Sequence, residues 1–126
     1  MAQKFGAGIW HFATYVDRYN TEGYGEPRSV LDAIKLAGQV KDLSVVDINF
    51  PYFGGSFSNQ QIKNELHEVD LDVIGITPEI YTKEFRKGAF TNPDPGIRNR
   101  AHELITEACE AVRFFDAAYV KLWPGQ

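Results

Sequence analysis

Four apolar runs of strand length alternate along this chain with three stretches of helical period, and that alternation leaves few folds open. The runs are Lys4–Phe12, Leu43–Phe50, Leu71–Ile80 and Ala117–Trp123. Between the first two, Pro27–Val40 places Leu31, Ala33, Ile34, Ala37 and Val40 near one helical face, with Ser29 and Asp32 at capping-box spacing. Between the next two, Ser58 and Gln61 repeat that spacing ahead of Ile62, Leu66 and Val69. The third helix is predicted to start at Asp94, with Pro95 at its first position and a stripe of Ala101, Leu104, Ile105, Ala108, Val112 and Phe115. The order β-α-β-α-β-α-β predicts a parallel α/β sheet with right-handed crossovers. The connections after the helices are short (Lys41–Asp42, Asp70, Asp116), whereas those after the strands are long and aromatic. Parallel α/β folds carry their sites on that strand-to-helix side.

Strand parity narrows the architecture. Successive strand residues point to opposite faces. Val46, Ile48 and Phe50 then share one face, and Val45, Asp47 and Asn49 the other. Ile74 and Ile76 oppose Gly75, Thr77 and Glu79, while Ala118, Val120 and Leu122 oppose Tyr119, Lys121 and Trp123. A doubly wound sheet is covered on both faces, so both should read apolar. Here one face turns polar toward the strand ends, which suits a barrel interior. A (β/α)8 barrel takes about 250 residues. This chain has 126. The expectation is therefore a single partial domain over residues 1–126, the N-terminal half of a TIM barrel with four strands and three helices. Its bare edges would pair with its own C-terminal half or with another copy. The rival architecture is a compact flavodoxin-like domain with a reordered sheet.

Composition removes several function classes. With 13 Lys+Arg against 17 Asp+Glu, the net charge is −4 and no basic block is present. Phosphate binding needs clustered cations, so nucleic acid is not an expected partner, and an endonuclease reading is disfavoured. No apolar run reaches the roughly 20 residues of a membrane span. The N-terminus lacks a signal-peptide pattern, and Cys109 is the sole cysteine, so a reducing cytoplasmic setting is expected. No pair of His has the spacing of a zinc site.

The segment Gly88-Ala89-Phe90-Thr91-Asn92-Pro93-Asp94, followed by Arg98 and Ala101, resembles the xylose isomerase-like superfamily of TIM barrels. So does the closing Val120-Lys121-Leu122-Trp123-Pro124-Gly125-Gln126. The opening Phe5-Gly6 with Trp10 is similar to that family's first strand, and Gly25-Glu26-Pro27-Arg28 looks like its rhamnose-isomerase branch. The resemblance covers the whole chain but about half of a family domain. It implies a metal-dependent aldose–ketose isomerase or sugar epimerase using a divalent cation such as Mn, Mg or Co. The cation's ligands belong to later strands that this chain does not contain, so it is expected to be inactive alone. Phe50-Pro51 stands where the classical xylose isomerases place a His after the Phe. That departure argues against xylose as substrate.

Each candidate site residue has a plainer role beside its chemical one. Trp10, Phe90 and Trp123 are expected to wall the C–H faces of a sugar; otherwise they are core packing. His11, at the end of the first strand, is a candidate general base or a loop His under aromatics. His67 and His102 lie in helices and read as surface residues. Asp47, Asn49, Glu79 and Lys121 share the interior face. An unpaired buried charge is costly, so they are either mutually paired, as Glu79 with Lys121, or aimed at a ligand. Lys121 suits a sugar oxygen or an enolate, and Asn49 a hydroxyl. Arg98 is expected to pair with Asp94 or Glu84, and Cys109 to be a buried small thiol. The alternative to an enzyme is a non-enzymatic, self-associating half-barrel or a carbohydrate-binding module.

Overall fold

A computed structural model describes residues 3–14, 19–20 and 23–123. Parts of the long connection that follows the first apolar run, and the Pro124-Gly125-Gln126 end of the closing motif, lie outside the described residues. Strands β1 (Phe5–Gly8), β2 (Leu43–Phe50), β3 (Asp72–Pro78) and β4 (Tyr119–Val120) form one sheet in the order 1-2-3-4. Every pairing is parallel. Helices α1 (Val30–Ala37), α2 (Asn59–Glu68) and α3 (Pro95–Phe115) supply the crossovers. The chain is thus α/β, with a four-stranded parallel sheet and three helices.

The helix starts are set locally. Ser29 accepts from the Asp32 N–H while the Asp32 carboxylate accepts from the Ser29 N–H, and Ser58 with Gln61 does the same for α2. Asp94 caps α3 by accepting from the Gly96 N–H, with Pro95 in the first turn. Each such cap is worth about 1 kcal/mol. Pro27 lies ahead of α1 rather than in its first turn. At the other end, the three helix-to-strand connections pass through Asp42, Asp70 and Asp116, at φ 65°, 57° and 53°. This left-handed conformation reverses the chain in one residue, and Asp tolerates it better than most side chains.

All three helices cover the same side of the sheet. Val30, Ala33 and Ile34 of α1, Ile62 and Leu66 of α2, and Ala108 and Ala111 of α3 bury against Val46, Ile48 and Ile76. Full burial of one such Ile is worth roughly 1.5–3 kcal/mol. A second cluster joins Ile80, Phe85 and Ala89, beyond β3, to Ala101 and Leu104 of α3. No helix among the described residues is long and apolar enough to cross a membrane.

Four sequence expectations need correction. The first run stops being a strand at Gly8, and Ile9–Phe12 forms a 3₁₀ turn. The fourth run pairs over Tyr119–Val120 only, because β3 is its one neighbour in the sheet. The strict parity of the third run fails at Ile74. Val46 pairs with Val73 but Asp47 with Gly75, so Ile74 is an extra, bulged residue, and Val73 joins Ile76 in the helix-side core. Cys109 is exposed, one residue beyond the buried Ala108.

Candidate functional site

The sheet face away from the helices carries the polar residues. Asp47, Asn49 and Thr77 are each buried there, near the C-terminal ends of β2 and β3. The Thr77 hydroxyl donates to Asp47 Oδ1 at 2.6 Å. The Lys121 ammonium lies 3.2 Å from Asp47 Oδ2, as an ion pair without hydrogen-bond alignment. Lys121 also rests over the Trp10 ring, 4.2 Å from its centroid. A cation on an indole face is favourable, and desolvation strengthens it. Lys121 therefore pairs with Asp47, and not with Glu79.

Two glycines make room for the rings on this face. A Cβ on Gly8 would fall 2.0 Å from the Trp10 ring, and one on Gly75 would fall 2.1 Å from the Tyr119 ring. Desolvation first, and the Asp47 charge next, hold the Tyr119 hydroxyl above its ordinary range.

A cavity of about 200 Å³ opens at the strand ends, lined by Trp10, Asn49 and Glu79 and by residues that follow the strands. Asn49 is held in place: its amide nitrogen donates to the Tyr81 hydroxyl at 2.8 Å. Glu79 is fixed at its backbone, where its N–H donates to the Phe50 carbonyl at 2.8 Å. Its carboxylate has no hydrogen-bond or ion-pair partner among the described residues. Burial alone pushes this carboxyl up to about 7. Desolvation penalises the charged form, and no cation offsets it. Glu79 is therefore partly protonated and partly ionised near neutral pH, the condition in which a carboxyl both takes and returns a proton.

The other expected site residues sit elsewhere. His11 is exposed, with its ring centroid 5.9 Å from that of Trp10, and does not line the cavity. Phe90 packs on the second core cluster, with its ring 5.4 Å from His102. Trp123 is 64% exposed beyond β4. Among the described residues Arg98 forms no ion pair; its guanidinium donates to the carbonyls of Asn92 and Pro93 at 2.5 and 3.2 Å. His67 and His102 are exposed on their helices.

Sequence reasoning passed over Arg28, Phe53 and Tyr81, all of which line the cavity. The available signal was position: each lies in a strand-to-helix connection. No group of three or more His, Cys, Asp and Glu converges to hold a metal among the described residues. Hard divalent cations take six or more oxygen ligands, and Asp47 is already engaged by Thr77 and Lys121. These residues do not make a metal box by themselves. No protein-family model matches the chain, and no curated protein matches it.

Proposed function

We propose that this chain is half of a (β/α)8 barrel of the xylose isomerase-like kind, and that its strand-end cavity binds a monosaccharide. Aldose–ketose isomerisation or epimerisation would be completed by a second half-barrel, the chain's own C-terminal half or another copy. The observation that carries this reading is the cavity itself. It joins an indole wall, Trp10, to an oriented amide, Asn49, and to a carboxyl poised near neutrality, Glu79. Aromatic faces suit sugar C–H groups, and convergent polar groups suit hydroxyls. The volume is below the several hundred Å³ of drug-sized sites, which fits a small ligand. Support for the half-barrel comes from the 1-2-3-4 strand order with every helix on one side.

In that reading, Glu79 exchanges a proton with the carbon beside the sugar carbonyl. Asn49 orients a hydroxyl, and Trp10 excludes water from one face. No step is assigned to a divalent cation, because the residues described do not form its ligand set. The setting is the cytoplasm.

The test is amide NMR of the 126-residue chain titrated with a panel of monosaccharides. The expected result is saturable shifts confined to residues around Asn49, Glu79 and Tyr81, weakened in Asn49→Ala. Absence of shifts at about millimolar sugar, an affinity near −4 kcal/mol, would remove the carbohydrate reading. Metal-dependent isomerisation by the lone chain would remove the claim that a second half is needed. A non-enzymatic, self-associating sugar-binding module is the second reading. It is favoured by the side chains left bare beside β4, where Tyr119 and Leu122 are 41% and 49% exposed.

A further inference from the structure

Among the described residues that line the cavity, Arg28 is the one whose charge is fixed across the physiological range. It follows a run of loop and precedes the Ser29 cap of α1, so its backbone is pinned by the helix start. The opposite loop presses on it: Gly54, at φ +76°, approaches so closely that a Cβ there would lie 2.9 Å from the Arg28 carbonyl oxygen. The Val30 N–H is tied to the Phe53 carbonyl at 3.0 Å. The guanidinium itself donates once, to the Phe12 carbonyl at 2.6 Å. A guanidinium has five N–H donors. Among the described residues no carboxylate pairs with it. Glu26, the acid nearest in sequence, forms no ion pair with it, and Asp32, one turn further on, is committed to the Ser29 cap. Glu79 lines the same cavity but forms no ion pair with Arg28.

A half-buried, immobilised guanidinium with most of its fork unused matches the planar geometry of a carboxylate or phosphate. We propose that the ligand of this cavity is an anionic monosaccharide, a sugar acid or sugar phosphate, whose anionic group is taken by Arg28 while its carbonyl end lies against Asn49 and Glu79. This rests on the carbohydrate reading above and adds the charge class and the orientation of the ligand. Burial keeps Glu79 protonated below about pH 7, so the cavity presents no opposing full charge under mildly acidic conditions.

The experiment is calorimetric titration of the chain with glucuronate, glucose 6-phosphate, glucose and inorganic phosphate at low and high salt. The expected result is that one or both anionic sugars bind about tenfold or more tighter than glucose. That preference should shrink with added salt, vanish in Arg28→Gln and persist in part in Arg28→Lys. Comparison of the two anionic sugars distinguishes a carboxylate from a phosphate ligand. Equal binding of glucose and the anions, unchanged in Arg28→Gln, would overturn the anion assignment and leave the carbohydrate site standing. Inorganic phosphate binding as tightly as the phosphosugar would overturn the sugar derivative as ligand. Absence of binding by every sugar would overturn both readings. The salt dependence of the unmodified chain decides the matter even where Arg28→Gln fails to fold.

Discussion

Glu79 shows how burial sets the chemistry of a side chain. Its N–H is held by the Phe50 carbonyl, which fixes the backbone beside the cavity, and burial raises its carboxyl from an ordinary 4.5 to about 7. Between those two pH values the folded chain holds a proton that the unfolded chain has lost. Stability therefore falls as pH rises through this window and levels off above it. Glu79→Gln removes the titration. Thermal melts should show the variant gaining on the parent from pH 5 to pH 8, and a pH-independent difference would contradict the buried carboxyl. Parity alone singled out Asp47, Asn49, Glu79 and Lys121 as one face, and three of them do converge near Trp10. Which acid took Lys121 was not legible. The pairing depends on the bulge at Ile74, which sets Gly75 opposite Asp47 and brings Thr77 to its oxygen. Arg28 was quoted for its motif and not as a ligand group. Its role depends on Gly54 and Phe53, brought up from another loop.

At the level of elements, the local signals carried most of the fold. Both capping boxes and the Asp94-Pro95 start stand where spacing put them, because a cap is a contact between residues three apart. The β2 boundaries agree as well, since a strand flanked on both sides is paired along its whole apolar run. Edge strands behave differently. The ladders of β1 and β4 stop at Gly8 opposite Asp47 and at Val120 opposite Ile76, short of the ends of their single partners, and no property of Lys4–Phe12 or Ala117–Trp123 reports that. The junctions Asp42-Leu43, Asp70-Leu71 and Asp116-Ala117 share one pattern, a left-handed Asp before an apolar residue. Asp70→Val should cost about 1–2 kcal/mol in urea unfolding, since a β-branched residue resists that conformation. Asp70→Gly should be neutral or slightly stabilising. Equal effects of the two would mean that the side chain, and not the backbone, holds the turn.

For the molecule as a whole, the sheet formed by the described residues has two open edges and, on the side away from the helices, a face with large rings on it. Light scattering on a sizing column is expected to give a dimer near twice the chain mass of 14.2 kDa. In such a dimer β4 of each copy lies beside β1 of the other. A monomer that unfolds cooperatively would contradict the half-barrel and favour the compact α/β alternative. The Asp47–Lys121 pair has a further consequence for how the chain is made. Synthesis delivers Asp47 well before its counter-ion, which follows all three helices. Until then, a nascent chain that has already stacked β1, β2 and β3 keeps a carboxylate in its interior with only the Thr77 hydroxyl to serve it. Lys121 works as a clasp, its ammonium over Trp10 tying the segment after β4 to the turn after β1.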